Sequence, residues 1–165
     1  MVKKIILFAF FVCIYTASKA QVYLDNMYKQ ANEMATATLK GDFVSLLKYT
    51  HPTIIKTMGG EQKATATIKE GAQKLKATGV KFKKVAIGKA TQTIVSKANI
   101  QCVVPQIIDI EMMQQTIHST SYLLGISYDG GKKWYFVDAN NSEKLRKMLP
   151  EMDKKLVIPQ IKLGN

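Results

Sequence analysis

Two histidines, His51 and His118, and one close pair of carboxylates, Asp109 and Glu111, are the side chains here best suited to moving protons. Nucleophilic catalysis needs a base beside a nucleophile and a third group that orients the base. The sequence offers neither histidine that setting. His51 precedes Pro52 at a helix start, where a side chain serves as a cap. His118 lies near a strand end between Thr116 and Thr120 and reads as solvated. Asp109 and Glu111 share one strand face in "IDIEM", where acid alternates with apolar residue as on an ordinary half-exposed strand. Two carboxylates facing a dry cleft could do acid–base work, but no histidine stands near them in sequence. There is no G-x-S-x-G elbow and no phosphate-binding glycine loop. Metal centres want clustered His, Cys or carboxylate ligands, and the spacing supplies none. No catalytic residue, metal or cofactor is therefore assigned. Cys102, in "NIQCVVP", alternates with Ile100 and Val104 and reads as a buried, inert small hydrophobe.

One stretch does match a motif. "SYDGGKKW", residues 127–134, has Ser127, Asp129, Gly131 and Trp134 in the places of S-x-D-x-G-x-x-W. It resembles the Asp-box hairpin repeated around sialidase propellers. A propeller needs several blades of about four strands, at roughly 40 to 50 residues per repeat. A single box in a chain of 165 residues cannot close such a ring. The local chemistry accounts for the motif as a hairpin: Gly130 and Gly131 supply the positive φ angles of a two-residue turn. That turn pairs Ser127 with Trp134, Gly125 with Phe136, Ile126 with Tyr135 and Leu124 with Val137. The indole and the phenyl ring then lie over small cross-strand neighbours. Both faces of this hairpin are apolar, as in a sheet covered on both sides.

The elements that must position these residues are legible in two halves. Leu24, Met27, Tyr28, Ala31, Met34, Ala35 and Leu39 recur at helical spacing, and Gly41 stops that helix. Asp42 caps a second helix, Thr50 or His51 a third, and Gly59-Gly60 separate the third from a fourth over residues 61–77. The fourth helix sets Ala64, Ile68, Ala72 and Leu75 along one side. From Val80 the period becomes two, giving five strands: 80–88, 93–105, 107–119, 120–129 and 132–138. Short connections make these an antiparallel meander. Asn141 or Ser142 opens a short helix through Leu149, Pro150 stops it, and an extended tail follows. The prediction is one α+β domain, with N-terminal helices covering one face of a curved five-stranded antiparallel sheet.

The helix order, the "LKGDF" break and the "GKKWYFVD" strand resemble the nuclear transport factor 2 superfamily, over residues 23–149. The chain is most similar there to secreted bacterial members, and the cystatin-like arrangement is the near neighbour. The resemblance implies a cone-shaped sheet wrapping a long helix around a cavity. Enzymes of that superfamily, such as ketosteroid isomerase and the polyketide cyclases, hold an Asp, His or Tyr inside the cone. Tyr28, Tyr49, Asp109 and His118 are the corresponding ligand-binding candidates, and none falls in a motif that carries a catalytic role across.

The first twenty residues have Lys3 and Lys4, then an eleven-residue apolar run Ile5–Tyr15, then Ser18-Lys19-Ala20. That is a secretory signal, with cleavage expected before Gln21. Spanning a bilayer takes about 20 apolar residues, so no membrane span is expected after processing. The expected domain is 21–165, periplasmic or extracellular. The net charge is +12, and from Lys56 to Lys97 ten lysines face only Glu61 and Glu70. Such a field attracts anions, yet the stretch has no arginine and only Phe82 as an aromatic, so no specific nucleic-acid partner is expected. The leading expectation is a non-catalytic domain that binds a small apolar or amphipathic ligand or a peptide. A cyclase or isomerase in the same cavity, and attachment to an anionic glycan or lipid surface, are the alternatives. A homodimer is compatible with all three.

Overall fold

The computed structural model describes residues 22–159 and 162–163. The expected signal segment, residues 1–20, and the cleavage point before Gln21 lie outside the described residues. Helix α1 covers residues 22–40 and buries Met27, Ala31, Met34 and Ala35, one stripe at helical spacing. Gly41, at φ +67°, ends it. Asp42 then caps α2 (Phe43–Leu47) by accepting the Ser45 amide at 3.1 Å. His51 caps α3 (Pro52–Thr57), and Gly59 and Gly60, both at positive φ, turn the chain into α4 (Glu61–Ala77).

Five antiparallel strands follow: β1 (Lys81–Ile87), β2 (Gln92–Val95), β3 (Ile100–Met112), β4 (Gln115–Ser127) and β5 (Tyr135–Asp138). Helix α5 (Ser142–Met148) is capped by Asn141, and a two-residue β6 (Lys162–Leu163) joins β4. The expected α+β layout is present, with three differences in the strands. The segment 93–105 is two strands, because Ser96 Oγ accepts the amides of Ala98 and Asn99 and turns the chain there. The segment 107–119 is not one strand: it folds back at Met113-Gln114, so β3 and β4 form one long hairpin. The succession is also not a plain meander. β1 pairs with β3 along Gln106–Glu111, while β2 takes the same edge of β3 along Ile100–Val103.

Side chains alternate along β3, so Ile100, Cys102 and Val104 face α1 with Leu123, Trp134 and Phe136, around Met27, Ala31 and Met34. Val103, Leu124, Ile126 and Val137 face the other way, onto Leu145 of α5 and Leu149, Met152 and Leu156 beyond it. The sheet is thus covered on both faces, and the helices do not confine themselves to one. Two long contacts hold the second cover in place. Arg146 donates to the carbonyls of Asp153 and Leu156, at 3.1 and 2.6 Å. The Gln101 carboxamide donates to the Glu151 carbonyl and accepts from the Asp153 amide. Each fully buried Leu, Ile or Phe contributes about 1.5–3 kcal/mol, so these two layers dominate the stability of the domain.

The β4–β5 hairpin keeps the predicted register: Gly125 opposes Phe136, Ile126 opposes Tyr135 and Leu124 opposes Val137. Its connection is not a two-residue turn. Pairing stops at Ile126 and Tyr135, and Asp129 organises the loop by accepting the amides of Lys132 and Lys133, at 3.0 and 2.9 Å. Ser127 donates to Asp129 and accepts the Gly131 amide. The loop is then fastened to α1, where Asn26 and Gln30 donate to the carbonyls of Gly131 and Lys132.

Candidate functional site

A pocket of about 580 Å³ opens between α1, α3, α5 and the β5 edge of the sheet. Met34 of α1, Leu46 of α2, and Leu123 and Phe136 of the sheet give it apolar walls. Thr50, Thr57, Asn140, Asn141 and Lys144 stand at its polar side. Gln106 lines it from β3. That residue is only 9% exposed, on a strand face otherwise occupied by Ile100, Cys102 and Val104. Ser121 donates to the Gln106 carbonyl oxygen at 3.4 Å, and the carboxamide nitrogen makes no hydrogen bond among the described residues. No fully enclosed polar atom among the described side chains lacks a partner, so this nitrogen keeps some accessible surface, on a residue that lines the pocket. Its two N–H groups suit a ligand oxygen. The pocket's one carboxylate, Asp138, accepts from the amide and side chain of Asn140.

Of the sequence-derived candidates only Asp109 and His118 are brought together, and none of the four lines this pocket. Tyr28 packs on the α1 face of the sheet, where its hydroxyl accepts the Ala90 amide at 2.8 Å. Tyr49 donates to Glu33 beside a different, charged pocket that Lys29, Lys40 and Lys48 also line. That bond, and burial after it, push the Tyr49 phenol up to about 12. Asp109 and His118 sit on the face of β3 and β4 opposite α1. There they bond to each other at 2.7 Å, with the imidazole exposed as expected. Asp109 therefore does have a histidine partner. The Met113-Gln114 turn sets the two opposite one another, which the spacing alone did not reveal.

His51 proved more than a cap. It is 3% exposed, and its Nδ1 accepts the Thr53 amide at 3.2 Å. The neutral ring then carries its proton on Nε2 and donates to the Tyr128 hydroxyl at 2.8 Å, and Tyr128 donates to Glu151 at 2.8 Å. Burial holds the His51 pKa below its ordinary 6.5, against the opposing pull of Glu151. Burial, then the bond to Glu151, raises the Tyr128 phenol. None of these three residues lines the Gln106 pocket. Burial likewise pushes the Cys102 thiol up to about 12, which makes it a poor nucleophile, as read from its strand. Among the described residues no group of three or more His, Cys, Asp or Glu could hold a metal ion, and no helix is long and apolar enough to cross a membrane.

Of these residues, the sequence reading missed Gln106. The signal was present: a carboxamide interrupts the apolar alternation of Ile100, Cys102, Val104, Ile108 and Ile110. Chemically, the pocket can enclose an apolar body and donate to one oxygen atom. Its described ionisable residues are Asp138, engaged by Asn140, and Lys144 on the polar side. No family model, curated protein or solved structure matches this chain.

Proposed function

We propose that this chain is a secreted binding domain of the nuclear transport factor 2-like kind, which holds a small amphipathic ligand in the Gln106 pocket. The observation that carries the reading is the unpartnered carboxamide nitrogen of Gln106, set at an apolar wall in a pocket of about 580 Å³. Ligand sites are commonly cavities of roughly 300–1,000 Å³ with apolar walls and a few placed polar groups. Among the pocket's described residues the one carboxylate, Asp138, is engaged by Asn140 and there is no histidine or tyrosine, which weighs against a cyclase or isomerase. The signal-like residues 1–20 support secretion.

The test is titration with an environment-sensitive apolar dye such as anilinonaphthalene sulfonate. Saturable binding is expected, lost in Met148→Trp, which narrows the pocket from its half-buried rim. Gln106→Leu should keep dye binding and discriminate against ligands that carry a carbonyl oxygen. Dye binding unchanged by Met148→Trp would remove the pocket as the site.

A further inference from the structure

A second groove, of about 650 Å³, runs between α4, the end of α1, α2 and the start of β1. It shares only Thr38 and Leu46 with the Gln106 pocket. Large apolar side chains gather here uncovered. Leu39 is 41% exposed, Leu75 44% and Phe82 38%, with Phe43 and Ile68 beside them. Helix α4 explains why. Its apolar stripe begins at fully buried Ala64 and continues through Ile68, Ala72 and Leu75, but α4 packs against α2 and α3 with Ala64 alone of that stripe buried. The remainder forms a groove wall.

Gly71 lies on the same stripe, inside a 17-residue helix. Glycine there weakens a helix relative to alanine. Beyond the backbone of its own helix and its chain neighbours, a Cβ at Gly71 would meet no atom within 4 Å. The chain's own packing therefore does not require the glycine, and the space it leaves belongs to the groove. Charge completes the pattern. Lys40, Lys76 and Lys81 line the groove and no acidic residue does. Lys81 is 3.6 Å from Glu111, whereas Lys40 and Lys76 make no ion pair among the described residues.

We infer that this groove holds a single long-chain amphiphile with a carboxylate headgroup. The alkyl chain lies along Ile68, Gly71 and Leu75, and the carboxylate meets the ammonium groups of Lys40 and Lys76. The volume, about 650 Å³, suits one small molecule. Lysines without arginine forks provide point charges, which suit a compact monoanion.

Calorimetric titration with dodecanoate, on protein purified after expression of the full chain, tests the inference. Saturable one-to-one binding is expected. It should weaken at least tenfold in Gly71→Leu, a variant that should fold as well as the parent. Leu75→Lys, at an exposed position, should do the same. The Lys40→Gln/Lys76→Gln pair should weaken dodecanoate and leave dodecanol unchanged. Three results would overturn the inference: no dodecanoate binding, binding indifferent to Gly71→Leu and Leu75→Lys, or binding only to phosphatidylglycerol vesicles. Self-association blocked by Gly71→Leu without uptake of dodecanoate would also overturn it, in favour of a second copy of the chain.

Discussion

At Gly131 the backbone sits at φ +89°, and a Cβ there would overlap Tyr23 of α1. This is where the loop after β4 presses on the first helix, so Gly131→Ala should destabilise the fold by about 1–3 kcal/mol in urea unfolding. An unchanged midpoint would mean that the loop is not held against α1. His51 gives a pH prediction. Its folded pKa lies below its unfolded value of 6.5, so the unfolded chain takes up the proton first. The neutral ring's contribution is complete above about 6.5 and declines as pH falls through the folded value. His51→Asn keeps an N-cap acceptor and removes the titration, so its stability should be flatter between neutral and mildly acid pH. A parent and variant with the same slope would contradict this. The cap role of His51 was legible because Pro52 follows it. Its bonds to Tyr128 and Glu151 were not, because those partners come from distant parts of the chain.

Among the elements, helix boundaries were read well because each carries a local device: Gly41, the Asp42 and His51 caps, and Gly59-Gly60. The β3–β4 turn carries none. Met113 and Gln114 adopt φ +51° and +64°, angles that ordinarily select Asn-Gly. A stretch without Gly, Asn, Asp or Pro at the turn, Met112-Met113-Gln114-Gln115, looks like continuous strand, and so the hairpin, with the Asp109–His118 pair it creates, was hidden. Met113→Asn with Gln114→Gly should therefore stabilise the protein by about 1 kcal/mol; a lower melting temperature would refute the assigned turn. Helix α4 offers the complementary case. Gly71→Ala should raise stability by about 0.5–1 kcal/mol, since the methyl meets nothing beyond its own helix and chain neighbours. Destabilisation would reveal a contact that the groove does not contain.

For the molecule as a whole, the period change near Val80 was sufficient to read helices followed by an antiparallel sheet; the hairpin's two apolar faces pointed to cover on both sides, but the helices were expected on one face only. The pocket was not legible, since its walls come from α1, α2, α3, β3, β4, β5 and α5, and no local pattern records where those surfaces fail to meet. The lysine-rich stretch is tempered in the fold. Lys81 and Lys83 both reach Glu111, Lys74 pairs with Glu70, and the remainder are spread over α3, α4, β1 and the loops that hold Lys89 and Lys97. Retention on heparin should accordingly be weak and gone by moderate salt, because exposed charges are screened beyond roughly 8 Å at physiological ionic strength. Elution well above that strength would make anion binding the leading role. A ligand held at Gln106 is tested most directly by native mass spectrometry of the protein purified from its own source. The expected spectrum shows a folded species carrying a small molecule whose added mass is absent from Met148→Trp. A folded parent protein that is always found at its bare mass, and takes up nothing when returned to an extract of its source, would contradict it.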